Sequence, residues 1–460
     1  MKKIVHFFTM GTALALVLSS CNKRLDDIAP INTALATDAL NTSADVQSLL
    51  AGGYAVIGSP ELYGGRLQYS ADLLGDPLGP NSELFWQGTF TQPSEIYRKR
   101  ILVNNSFVAG TWTQAYRAIN IANTVLANLS KVATVQQAQV EGGAKFIRGT
   151  MYFELARLYA RAWNDGDPAT NPGVPIILTS TDVQTPDAVI GTPSQVARNS
   201  VAEVYAQAIK DLTEAETKLK ASAPASATAT FYATTYTASG MLSRVYLQQG
   251  QYSLAATEAD KVISSGIYRL TTPISDEFNS KINTSEDIFA NQITVQAGTN
   301  DLNTFYSTNG RGGDIAVQDA LYNLYNKADD RAQLFNFDNG TLTTKFDQVF
   351  GNIHVMRLAE MYLTRAEGNF RAGTRVGATP VSDINLVRER AKLPALVSVT
   401  LASILLERHL ELAFEGFYLH DLKRNALPVG SLPYNSPRLI FPIPQREIDV
   451  NPNLAQNAGY

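Results

Sequence analysis

The chain is 460 residues long, 45% hydrophobic and 17% charged, with 42 acidic against 38 basic residues and a formal net charge of -4. That is enough apolar material for a large buried core, and too little charge for long disorder. The balanced charge excludes the basic footprint by which a nucleic-acid-binding protein gathers phosphates.

The N-terminus reads as an export signal: Lys2 and Lys3 precede an apolar run from Ile4 to Leu18, too short to span a bilayer comfortably. It closes on Leu18-Ser19-Ser20-Cys21, and Cys21 is the single cysteine of the chain. A lone thiol forms no intrachain disulfide, so its position calls for another explanation. The stretch resembles a bacterial lipobox. In such a signal residues 1–20 are removed and Cys21 carries the acyl chains that hold the protein at a membrane, with 21–34 as tether.

Beyond the tether the pattern is helical. "GTWTQAYRAINIANTVLANL" sets Trp112, Tyr116, Ile119 and Asn123 at three- and four-residue steps, the spacing of an amphipathic helix. "EGGAKFIRGTMYFELARLYARAW" and "SVAEVYAQAIKDLTEAETKL" repeat it. In "YTASGMLSRVYLQQGQYSLAATEADKVISSG", residues Leu242, Tyr246, Gly250, Tyr252, Ala255 and Ala259 have the spacing of a tetratricopeptide helix pair. "HVMRLAEMYLTRAEGNFRAG" followed by "PVSDINLVRERAKLP" is expected to form a second, looser pair. Long tracts rich in Pro, Gly, Thr and Asn interrupt the helices, among them 167–195, 221–236 and 271–319; loops of such length in a compact domain are usually functional surfaces or insertions.

Glu407, Glu411 and Glu415 lie four residues apart in "LLERHLELAFEGFYLHDLKR". A glycosidase needs two carboxyl groups on opposite sides of a cleft, and a row on one helix does not supply that. The row is expected to be scaffold that flanks a stripe of Leu406, Leu410, Ala413, Phe414 and Phe417, with Arg408 pairing with Glu411, and Arg388, Arg390 or Arg424 as further partners. The four histidines show no metal-ligand spacing, and Asp329/Asp330 and Asp165/Asp167 are short acidic pairs that could hold calcium. No phosphate loop or nucleophile elbow is present, so neither a catalytic residue nor a cofactor is expected.

The motifs "RLAEMYLTRAE", "INLVRERAKLP", "ERHLELAFEGFYLHDLKRN" and the closing "FPIPQREIDVNPNLAQNAGY", in that order, resemble the SusD/RagB family of outer-membrane nutrient-binding lipoproteins. The resemblance implies a mainly α fold: a single domain over 35–460, with an N-terminal part of about 35–220 and a C-terminal part of about 230–460, tetratricopeptide-like helix pairs as scaffold, and a loop-rich ligand face. It also implies a non-catalytic binding role, an oligosaccharide or polysaccharide cargo (peptides in some relatives), a SusC-like TonB-dependent transporter as partner, and a position at the cell exterior.

Sugar rings present apolar C–H faces and hydroxyls, so their sites combine aromatic platforms with amides and charged groups. Two tracts offer that mixture. "YGGRLQYSADLLGDPLGPNSELFWQGTF" carries Arg66, Tyr69, Asn81, Phe85 and Trp86, and "QAGTNDLNTFYSTNGRGGD" carries Tyr306 and Arg311. Trp86 is either a solvated platform or a plug that seats the loop on the core, and of Phe305 and Tyr306 only one should face a ligand. A solvated Trp86 and Tyr306 favour glycan binding; burial of both favours a lipid-anchored scaffold or peptide-binding lid.

Overall fold

The computed structural model describes residues 40–181, 195–221, 231–294, 300–307, 309, 312–338 and 340–460. Cys21, the tether and Arg311 lie outside them.

Helix α1 (Ser43–Ile57) opens with a capping box in which Thr42 and Asp45 satisfy each other's backbone N–H groups. It packs on two long helices, α4 (Ser106–Ala127) and α5 (Thr134–Tyr159). As the periodicity predicts, Trp112, Ile119 and Asn123 of α4 are buried. α5 lies against α6 (Val201–Lys218), which begins with a second capping box, Ser200 with Glu203. Arg148 ties the three together: its Nε and Nη2 donate to Asp211 at 2.8 and 2.7 Å, and its Nη1 donates to Asn123 Oδ1 at 2.8 Å.

The tetratricopeptide-like pair is α7 (Thr235–Gln248) and α8 (Tyr252–Ser264). Gly250 sits between them at φ +72°, a left-handed conformation that costs glycine nothing. α8 packs in turn on α11 (Leu358–Ala372) through Ala255, Ala256 and Ala259, all fully buried. The approach is close: a Cβ on Gly368 would lie 2.6 Å from the Tyr252 carbonyl oxygen. α12 (Pro380–Arg390) and α13 (Leu401–Glu411) cover the other side of α11.

One expectation fails here. "HVMR" does not begin a helix; Ile353–Arg357 is strand β6, antiparallel to β2 (Asp287–Asn291) across a bulge. Its five residues are all buried, and the run of β-branched and long apolar side chains suits a strand covered on both faces. The tract 271–319 also carries more regular structure than its composition predicts, with β2, the short helix α9 (Asp301–Tyr306) and β3 (Ile315–Val317). Two further small antiparallel pairs complete the sheet content of the described residues: β1 (Leu84–Trp86) with β3, and β4 (Phe335–Asn336) with β5 (Leu342–Thr343).

Candidate functional site

The register of β1 decides which aromatic reaches solvent. Side chains alternate across a strand, and Leu84 and Trp86 point inward while Phe85, paired with Ala316, is 48% exposed. Trp86 is 6% exposed and packs on Phe305 at 5.9 Å between ring centroids. It is the plug rather than the platform. Tyr306 is fully buried, donating its hydroxyl to Asp72 Oδ2 at 2.9 Å. Phe305 is buried as well, because 301–306 is helical and one-sided exposure by strand alternation does not apply. Tyr69 is buried against Phe305 at 4.7 Å, and Arg66 lies over the Phe107 ring at 4.1 Å with its Nε directed at the Tyr69 hydroxyl. Four of the sequence-selected side chains, Arg66, Tyr69, Trp86 and Tyr306, therefore form the packed layer beneath the surface. Asn81 and Phe85 remain on it.

The loop that carries these two is held from below by one carboxylate. Asp76 Oδ1 accepts from the Leu78 N–H and Ser82 Oγ, both at 2.8 Å, and Oδ2 accepts from the Glu83 and Leu84 N–H groups at 2.8 and 2.7 Å. Buried Lys99 clamps the same corner, its ammonium donating to the carbonyls of Leu73, Asp76 and Tyr97; burial pushes it down to about 8. Beside β1 and β3 runs a shallow cleft of about 360 Å³ lined by Gly79, Pro80, Ser82, Gln318, Asp319 and Thr341. Gln87 and Asp319 are exposed at the ends of the strand pair. Sequence reasoning passed over Gln318 and Asp319, which lie more than 200 positions from β1 and meet it only through the β1–β3 pairing. The alternation Leu-Phe-Trp was the available signal for Phe85.

The carboxylate row anchors this surface. Glu407 is bound by Arg331 at 2.7 Å and Arg388 at 3.0 Å. Glu411 meets Arg357 at 2.6 Å, Arg331 at 3.3 Å and Arg390. Glu415 meets Arg357 at 2.8 Å and Lys345 at 2.9 Å. Burial alone would raise the Glu411 carboxyl, but Arg390, Arg357 and Arg331 hold it well below the usual carboxylate range. A general acid needs the opposite shift. Three details differ from expectation. Helix α13 ends at Glu411, so Glu415 and the stripe residues Ala413, Phe414 and Phe417 lie beyond it instead of on one helix face. The acids point into the interior while Leu406 is 44% exposed, and Arg408 and Arg424 bind Asp421 rather than the row, with Arg424 also on Glu367. Arg331 precedes β4 and Lys345 follows β5, so the network pins both ends of the hairpin whose Thr341 carbonyl accepts from the β3 Val317 N–H. Asp329 spends both oxygens on Arg331.

A second buried cluster has no sequence signature. The pairing of β2 with β6 brings His354 Nδ1 within 2.6 Å of Asp287 Oδ1 and 3.3 Å of Glu277 Oε1. Burial would push the imidazole down, yet Asp287 and Glu277 outweigh it and raise it to about 9. Burial and the neighbouring Glu286 carboxylate push Glu277 upward. His354 Nδ1 hydrogen-bonds to Asp287 Oδ1, while Glu277 Oε2 accepts from the Thr271 and Thr284 hydroxyls.

The result is a helical scaffold with a small strand-built surface of exposed aromatic and amide groups, and with its conspicuous acids locked to arginines. The comparisons place it. Residues 33–247 match a SusD-like family described as starch-binding and associating with the outer membrane, and residues 206–436 match the SusD family. This chain belongs to the SusD family. It is 26% identical to the SusD-like protein P2 of Formosa agariphila over 97% of this chain and 98% of that one. It is 35% identical to the starch-binding protein SusD of Bacteroides thetaiotaomicron over 24% of this chain and 22% of that one. A SusD superfamily structure from Bacteroides thetaiotaomicron superposes with a TM-score of 0.78 at 24% identity, covering 90% of this chain and 99% of that chain. Among the described residues no helix is long and apolar enough to cross a membrane.

Proposed function

We propose that this protein is a non-catalytic, lipid-anchored outer-membrane lipoprotein that binds oligosaccharide or polysaccharide fragments at the cell exterior and passes them to a SusC-like TonB-dependent transporter. The observation that carries the reading is Phe85: a half-exposed aromatic ring held outward by strand register, edge-on to Tyr97, on the strand that follows the Gly79, Pro80 and Ser82 wall of the Gln318/Asp319 cleft. An exposed ring can stack on the C–H face of a sugar while amides and a carboxylate take its hydroxyls. The family description and the starch-binding relative point the same way.

Calorimetry of the chain from Asn22 onward against a panel of oligosaccharides and peptides tests this. Phe85→Ala should weaken glycan binding by about 0.5–1.5 kcal/mol, roughly a two- to tenfold rise in Kd, and Asn81→Ala should weaken it further. Trp86→Ala, by contrast, should act through lost stability. Glycan binding indifferent to Phe85 and Asn81 would move the site elsewhere. The burial of Trp86 and Tyr306 favours a second reading, a lid or scaffold that takes peptide or no small ligand; peptide binding, or silence across the panel, would select it.

A further inference from the structure

A different pocket lies where the C-terminal tail packs back on the end of α5. It has a volume of about 200 Å³ and is lined by Arg161, Asp165, Asn171, Lys423, Tyr434 and Asn457 among others, sharing no residue with the β1–β3 cleft. One ordered water needs only about 15 Å³, so the space is built for more. Its walls are fixed from outside. Asn457 Nδ2 donates to the carbonyls of Tyr159 and Phe441 at 2.8 and 2.7 Å, Asn171 Nδ2 donates to the Asp165 carbonyl at 2.5 Å, and the Tyr434 hydroxyl donates to the Asn164 carbonyl at 3.2 Å.

The unusual wall is Lys423. It is 4% exposed, and its ammonium donates to a single acceptor, the Leu439 carbonyl, at 3.2 Å. Among the described residues its other two N–H groups have no hydrogen-bond partner. Buried charges are ordinarily paired or fully hydrogen-bonded. Asp165 is the acid whose charge acts on it, and it is ion-paired to Arg161, whose Nε lies 3.5 Å away and whose side chain is half-exposed at the rim. With Lys423 protonated, two cations and one carboxylate leave the pocket with an excess of one positive charge. His420, on the same helix, is pushed well below its ordinary value by burial and the surrounding cations and adds none near neutral pH.

We infer that this pocket binds a small hydroxylated carboxylate of about one sugar ring in size, its carboxylate on the Lys423 ammonium and Arg161, and its hydroxyls on Asp165, Asn171 and Tyr434. A carboxylate supplies the acceptors that Lys423 lacks, and charge-assisted hydrogen bonds of this kind are the strong ones. Neutral glucose would leave the extra positive charge uncompensated; acetate would leave the hydroxyl partners unused. Burial pushes Lys423 down to about 8, so an arriving carboxylate should draw a proton onto it.

The probe is glucuronate, titrated calorimetrically into the purified full chain at about pH 8.5 in buffers of different ionisation enthalpy, with glucose and acetate as controls. The expected result is glucuronate binding, at least about tenfold tighter than either control, with proton uptake and loss of both in Lys423→Met. Arg161→Gln, at the exposed rim, should weaken binding without disturbing the fold, and it serves as the informative variant if Lys423→Met does not fold. Absence of heat with glucuronate, binding of glucose with equal affinity, or glucuronate binding that survives Arg161→Gln and takes up no proton would each overturn the inference. These outcomes are separate from those at Phe85, since Phe85→Ala should leave glucuronate binding here unchanged.

Discussion

At the scale of single residues, the charged interior is where substitution should be felt most. Glu411 is fully buried and shared by Arg331, Arg357 and Arg390. Removing one partner of such a pair strands the others in a low-dielectric site, which costs about 3–5 kcal/mol. Glu411→Gln should lower the urea midpoint accordingly. His354 gives a pH signature. Its folded value of about 9 lies above the ordinary 6.5, so protonation favours the fold. That stabilisation is fully present below about pH 6.5 and is lost as pH rises through 9. Lys99 and Lys423, pushed from 10.5 down to about 8 by burial, act in the opposite direction: the cost of holding their charge is full below about pH 8 and is relieved between about pH 8 and 10.5. The readout is therefore the difference between wild type and His354→Gln, which should shrink between pH 6 and 9.5 in thermal unfolding. An unchanged difference would show that the imidazole holds no extra proton. Which aromatic would face solvent was only half legible: ring size singled out Trp86, but β1 turns it inward and Phe85 outward. A strand's face is fixed by what it pairs with, and β3 lies more than 200 residues away.

At the scale of elements, the helices were legible and the strands were not. Stripes of Trp112, Ile119 and Asn123, or of Val204, Ala208 and Leu212, predict their own buried faces, because helix periodicity is a local property. β6 read as helix because Ile353–Arg357 runs directly into α11; only its pairing with β2 separates the two. The α8–α11 contact yields a prediction. Alanine is normally the better helix former by about 1 kcal/mol, yet at Gly368 the added methyl would press on the Tyr252 carbonyl, which is backbone and cannot swing aside. Gly368→Ala should therefore destabilise by about 1–3 kcal/mol, measured by chemical unfolding, and a neutral or stabilising result would mean that the helix pairs slide apart easily.

At the scale of the whole molecule, the helix pairs, the ion network and the strand-built surface form a continuous chain of support. Arg357 of β6 reaches Glu411 and Glu415, Arg331 and Lys345 reach the same acids from either side of the β4–β5 hairpin, and the hairpin backs β3 beneath the cleft. The acidic row, expected from the sequence to be scaffold, supports the candidate ligand surface through these pairs. Membrane attachment belongs to this scale too; among the described residues no helix is long and apolar enough to cross a bilayer. If Cys21 is the anchor, Cys21→Ser should move the protein from the membrane fraction to the soluble fraction and abolish incorporation of labelled fatty acid; retention in the membrane would require another attachment.

The sequence by itself determined the helical class, the tetratricopeptide-like pair around Gly250 and the family, because each rests on local periodicity or on short ordered motifs. It also settled that Glu407, Glu411 and Glu415 are not opposed across a cleft, since their spacing puts them on one run of chain. Only the tertiary structure decided that those acids face inward to Arg331, Arg357 and Arg390, that Trp86 and Tyr306 are packed while Phe85 is open, and that Lys423 lines a second pocket. These outcomes depend on partners tens to hundreds of residues distant. Burial and charge pairing are properties of neighbours in space, and the order of residues along the chain does not specify them.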